Sequence, residues 1–171
     1  MLVIKAIQFA AQKHFGQERN DTYLPYIVHP MTVMHLTSKY KKDSKNLENL
    51  QCAALLHDTL EDTDCSYSEL EREFNPMVAS IVLELTNDDE KIKELGKNEY
   101  LKGKMIGMSK YAFLLKLIDR LANVSDTPRI KYVENTLDMM TNLRNNREGL
   151  TATQLRVISE IEKVCLEFRK F

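Results

Sequence analysis

The stretch AALLHDTLEDTD, Ala53 to Asp64, decides how this chain is read. Ala53, Leu56 and Leu60 recur at helical spacing, so one side of the segment belongs in a core. Yet the same segment carries His57–Asp58 and Glu61–Asp62, one helical turn apart. At about 100° per residue these four titratable groups fall within an arc of roughly 140° on one helix face. Ala54, one turn before His57, leaves space above that arc. The spacing predicts a continuous helix over 47–60 that packs on one side and lines a pocket with the other.

Working outward, nearly every periodic segment has the period of a helix. Leu2, Ala6, Ile7 and Ala10 share a face in the first segment. A polar loop, GQERNDTYLPYIVH, leads to Pro30, tolerated in a first helical turn, and to the helix PMTVMHLTSKY. Ser66 with Glu69 has the pattern of a capping box before YSELEREF. Asn75–Pro76 has that of a cap followed by an N-terminal proline before PMVASIVLEL. Residues 86–107 are charged and glycine-punctuated, which predicts short helix and mobile loop. SKYAFLLKLIDRLANV, Ser109 to Val124, is a strongly apolar helix ended by Asp126–Thr127–Pro128. Helices over 130–144 and 151–171 complete the chain. With no β-alternation, repeat or linker, the pattern predicts one all-α domain over residues 1–171.

A length of 171 residues suffices for a buried core, and a formal net charge of −1 gives no general attraction to nucleic acid or anionic lipid. The opening MLVIKAIQFAAQKH is interrupted by Lys5, lacks a signal-peptide cleavage pattern and reads as an amphipathic helix; no apolar run is long enough to cross a bilayer. Cys52, Cys65 and Cys165 are odd in number and lack metal-type spacing, which suits reduced thiols in the cytoplasm.

A neutral imidazole beside a carboxylate suits a divalent transition metal, and two ligands rarely suffice. His29 directly precedes a helix start. Asp119 lies in the apolar FLLKLIDRLA, where an unpaired carboxylate is costly. One metal shared by His29, His57, Asp58 and Asp119 satisfies all four. Such a mixture of nitrogen and oxygen ligands favours Mn(II), Fe(II) or Zn(II) over Mg(II) or Ca(II). Glu61 and Asp62 then stand one turn from the ligands, where acids and bases acting on a metal-activated water belong. A single HD pair is more often a surface pair, and EDTD alone an acidic cap; the conjunction carries the chemistry. Lys97, Lys102 and Lys104 offer cations in the charged segment, with a solvated surface as their ordinary role.

PYIVHP, AALLHDTLEDTD and LKLIDRLAN together resemble three signature blocks of the hydrolase domain of the RelA/SpoT homologues, within the HD-domain metal phosphohydrolases. The likeness runs from about Ile4 through Asn123 and implies an all-α HD-domain bundle of the stand-alone small alarmone hydrolase type. It further implies removal of the 3′-pyrophosphate of guanosine tetra- or pentaphosphate, the alarmones of the stringent response, with one Mn(II) ion. Matched motif by motif, His29, His57, Asp58 and Asp119 become metal ligands and Glu61–Asp62 the catalytic pair. Arg19 matches a basic residue contacting the nucleotide, and Asn123 a residue near the base and ribose. The loop GQERNDTYLPY lacks the family's usual lysine- and glycine-containing variant, and Val124–Ser125–Asp126 supplies no arginine where the family often has one two residues after Asn123. Another nucleotide phosphatase, acting for instance on NADPH, is therefore the alternative enzyme, and a non-catalytic nucleotide sensor the alternative outside catalysis. Expected partners are a small nucleotide, with no nucleic acid or membrane; self-association is left open.

Overall fold

A computed structural model of the protein describes residues 1–19, 23–126 and 128–170. Asn20, Asp21 and Thr22 of the expected polar loop, Thr127 of the expected helix break and Phe171 of the last expected helix lie outside the described residues. The backbone contacts fall into two compact units, Met1–Asn87 and Asp88–Phe171.

The first unit runs α1 (Leu2–Lys13), a hairpin of β1 (Glu18–Arg19) and β2 (Leu24–Pro25), α2 (Val28–Lys41), α3 (Leu47–Leu56), α4 (Thr59–Asp62), α5 (Tyr67–Glu73) and α6 (Pro76–Leu85). The hairpin, pairing Glu18 with Pro25 and Arg19 with Leu24, is too short for the alternation by which strands are recognised. Helix α3 is the hub, packing on α1, α2 and α6. Leu50 and the whole run Cys52–Leu56 are inaccessible to solvent. Ala6 and Ala10 of α1 and Ala53 and Ala54 of α3 are small and fully buried, while each buried leucine contributes about 1.5–3 kcal/mol. The Asn75 side chain caps α6 by accepting from the Val78 N–H, as its sequence predicts. Ser66 accepts from the Glu69 N–H, but the Glu69 carboxylate lies 3.0 Å from Lys13 Nζ, in an ion pair with α1.

The helix expected over 47–60 is broken. It stops at Leu56, Asp58 adopts φ −102° and ψ −1°, and α4 starts afresh at Thr59. Side chains compete with the helical ladder here. His57 Nδ1 donates to the Ala54 carbonyl at 2.8 Å and Thr59 Oγ1 to the Leu56 carbonyl at 2.7 Å.

The second unit contains α7 (Asp89–Leu95), α8 (Lys97–Gly107), α9 (Lys110–Val124), α10 (Ile130–Asn146) and α11 (Ala152–Phe168). Helix α9 packs on α11, and α10 packs on α8 and α11. Phe113, Leu117, Ile118, Met139, Leu143, Val157 and Ile161 supply the core. The segment expected to be partly loop is almost wholly helical: Asp88 caps α7, and Gly96, at φ +78°, turns the chain directly into α8. Thr151 and Gln154 form a reciprocal capping box at the start of α11. Among the described residues no helix is long and apolar enough to cross a membrane.

Candidate metal centre and acidic pair

The break after α3 is what presents His57. A carbonyl oxygen can only accept, so the 2.8 Å bond to Ala54 puts a ring proton on Nδ1 and makes Nε2 the ring nitrogen a cation can meet. That nitrogen lies 2.9 Å from Asp58 Oδ2. Two lone-pair donors at this separation repel unless a proton or cation lies between them, and both are nearly out of water: His57 is 2% exposed and Asp58 partly buried.

His29, also buried, joins them from the first turn of α2. Its N–H donates to the Tyr26 carbonyl at 3.0 Å, which fixes the chain entering the helix. The rings of His29 and His57 meet edge-on with centroids 5.2 Å apart, and a ring nitrogen of each lies within 4.8 Å of the other. Buried imidazoles and a carboxylate that converge this way fit a divalent metal ion.

Tyr26 was not singled out by the sequence pattern, although it stands inside PYIVHP. Its hydroxyl donates to Asp58 Oδ2, and its ring packs on buried His14 at 4.7 Å. His14 Nδ1 donates to Gln17 Oε1 at 2.7 Å, and Gln17 Nε2 donates to the Asp62 carbonyl at 2.8 Å. Tyr26 and Gln17 thus brace Asp58 and Asp62. His14 is a packing residue.

Glu61 and Asp62 sit together in α4, with their backbone N–H groups donating to the Asp58 carbonyl at 3.1 and 2.9 Å. Both oxygens of Glu61 are engaged by Asn87, which donates its backbone N–H and its side-chain amide, each at 3.0 Å. The Asp62 carboxyl is held above its ordinary value, first by partial burial and then by the neighbouring charges of Asp58 and Glu61. Asn87 lies 26 residues beyond Glu61, and no local pattern announces the contact.

Arg19 lies in β1 and is buried. In the second unit, Asp119 and Asn123 share a face of α9 as their spacing predicts. The Asp119 carboxylate, which the sequence pattern says needs a partner, has protein partners of its own. Asn123 Nδ2 donates to its Oδ1 at 2.7 Å, and buried Lys116 places Nζ 3.3 Å from its Oδ2. The missed signal is Lys116 itself, three residues earlier in LLKLID. Lys102 is taken up by ion pairs with Glu99 at 2.8 Å and Asp138 at 2.5 Å.

Residues 6–151 match the sequence profile described as the HD domain, so the chain belongs to that family. Within the family it is 32% identical, over 97% of its own length and 93% of the relative's, to the guanosine-3′,5′-bis(diphosphate) 3′-pyrophosphohydrolase MESH1 of Danio rerio. A pyrophosphohydrolase of the same description from Aquifex aeolicus is 36% identical over 70% of this chain but only 17% of its own. A solved structure of a metazoan orthologue of SpoT, described as hydrolysing ppGpp, is similar at a TM-score of 0.77, with 29% identity, 95% of this chain and 94% of that one covered. The fold is thus the all-α HD-domain fold.

Proposed function

We propose that this chain is a metal-dependent phosphohydrolase that removes the 3′-pyrophosphate of guanosine tetra- or pentaphosphate, giving GDP or GTP and pyrophosphate. The observation that carries this reading is the facing pair of His57 Nε2 and Asp58 Oδ2, with His29 beside them and Glu61–Asp62 one turn on. The nearly full-length similarity to the Danio rerio pyrophosphohydrolase supplies the substrate class. The proposed ligands are His29, His57, Asp58 and Asp119, within a single HD-type domain. The proposed ion is Mn(II), in keeping with mixed nitrogen and oxygen donors.

When bound, a divalent ion offsets charge on the phosphoryl group and makes water a better nucleophile. The reaction adds one water across the P–O3′ bond, its oxygen going to phosphorus and a proton to the ribose oxygen. Glu61, with the plane of its carboxylate fixed by Asn87, orients the water. Asp62, whose carboxyl takes a proton more readily than an ordinary aspartate, transfers it. Tyr26 holds Asp58 in place for the ion. Arg19 and Asn123 are the proposed contacts to the nucleotide, Asn123 through an amide that also restrains Asp119. The expected setting is the cytoplasm.

Metal-stripped protein supplied with Mn(II) and offered guanosine tetraphosphate, NADPH and simple nucleoside phosphates in parallel tests this reading. Preferential turnover of the guanosine 3′-pyrophosphate supports it. Preference for NADPH, or binding without turnover of any of them, overturns it.

A further inference from the structure

The two carboxylates of the acidic pair are not held alike. Asn87 presents two N–H donors to Glu61, one to Oε2 from its backbone and one to Oε1 from its side chain, each at 3.0 Å. Such a two-point grip fixes the plane of a carboxylate as well as its position. A carboxylate has about four acceptor sites, so each Glu61 oxygen keeps one for a water or a substrate hydroxyl. Among the described residues the Asp62 side chain receives no comparable grip; Gln17 bonds its main-chain carbonyl instead, at 2.8 Å.

Asn87 is itself anchored. It follows Thr86, whose N–H and hydroxyl both bond the Val82 carbonyl, at 3.0 and 2.9 Å, at the end of α6. That helix buries Val78, Ala79, Ile81, Val82 and Leu85. The grip on Glu61 is therefore referred to the core of the first unit and not to a loose strand of chain.

We propose that Asn87 is a positioning residue for catalysis: its paired donors lock Glu61 as the fixed acceptor that aims the attacking water, and this asymmetry divides the labour between Glu61 and Asp62. The proposal rests on the hydrolase reading above. Removing the amide loosens the aim without touching a proposed metal ligand or a nucleotide contact.

Asn87→Ala and Asn87→Asp are compared with the wild type in Mn(II)-loaded protein acting on guanosine tetraphosphate. Kcat, KM, Mn(II) affinity and melting temperature are read together. Asn87→Asp keeps the shape and the backbone N–H but turns a donor into a like charge. The expected result is a fall in kcat of roughly 10- to 100-fold for Asn87→Ala, and at least as large a fall for Asn87→Asp, with KM and Mn(II) affinity within about twofold. A packing role gives the reverse order, with the isosteric Asn87→Asp close to wild type, and overturns the proposal; so does an Asn87→Ala enzyme of undiminished kcat. Should Asn87→Ala fail to fold, Asn87→Asp against wild type decides alone. A wild type that does not hydrolyse guanosine tetraphosphate overturns the hydrolase reading and this proposal with it, whereas turnover with an unaffected kcat in the variants overturns this proposal only.

Discussion

Nδ1 of His57 donates to the carbonyl of Ala54 at 2.8 Å, so a cation can meet this imidazole only through Nε2. The bond is made where α3 ends, and it is also one of the contacts that ends it. Local backbone structure and ligand chemistry therefore have a common origin, and neighbouring side chains set how well the remaining donors are aimed.

Tyr26→Phe removes the hydroxyl that donates to Asp58 Oδ2 while keeping the ring that packs on His14. Mn(II) affinity is expected to fall by about 10- to 100-fold, with kcat regained at saturating Mn(II). Calorimetric titration of the metal-stripped variant measures this. An unchanged affinity means that the hydroxyl does not orient the ligand.

Asp62→Asn separates stability from activity. Folding raises the Asp62 carboxyl above its ordinary 3.8, so the fold favours the protonated form. The contribution of this group to stability is present below the unfolded value and lost as pH rises through the raised one. At neutral pH the ionised group is a burden. In chelator at pH 7 the variant is expected to melt above wild type, with the gain shrinking toward pH 3, while turnover with Mn(II) falls about 100- to 10,000-fold. A lower melting temperature at pH 7 contradicts this.

Asn123→Ala frees the Asp119 carboxylate from the amide 2.7 Å away. If Asp119 is a ligand, more Mn(II) is needed for half-maximal activity. The Mn(II) dependence of kcat measures that, and a shift in KM for the nucleotide alone assigns Asn123 to the substrate instead.

Burial pushes the Cys52 thiol up to about 12 and the Cys65 and Cys165 thiols to about 11. At pH 8 the thiolate fraction is then at most about one in a thousand. The native protein is expected to resist a thiol-specific chromogenic reagent for minutes and to report three thiols once denatured. Rapid labelling of the native state contradicts this.

Much of this was legible in the sequence because it is written in nearest neighbours. Helical period located α9, and helical period with a cap at Asn75 located α6. His57–Asp58 and Glu61–Asp62 announced themselves by standing where an apolar helix face ends. What escaped has physical causes. The break at Asp58 comes from side-chain bonds to carbonyls, which periodicity does not register. The grip of Asn87 on Glu61 joins residues far apart in the chain, and Tyr26 reaches Asp58 across 32 positions. The Asp119 partner Lys116 was in plain sight, but a lysine in an apolar run reads as a solvent-facing residue until its burial is seen. Residues 86–107 looked like loop because charge and glycine dominate, yet the first glycine there, Gly96, serves only to turn one helix into the next.

The most direct test follows the products by phosphorus NMR as metal-stripped protein, given Mn(II), acts on guanosine tetraphosphate. The expected result is GDP and pyrophosphate in equal amounts, no reaction in chelator, and loss of both bound metal and turnover in His57→Ala. Orthophosphate released with the 3′-pyrophosphate left intact, or full turnover without metal, would contradict it.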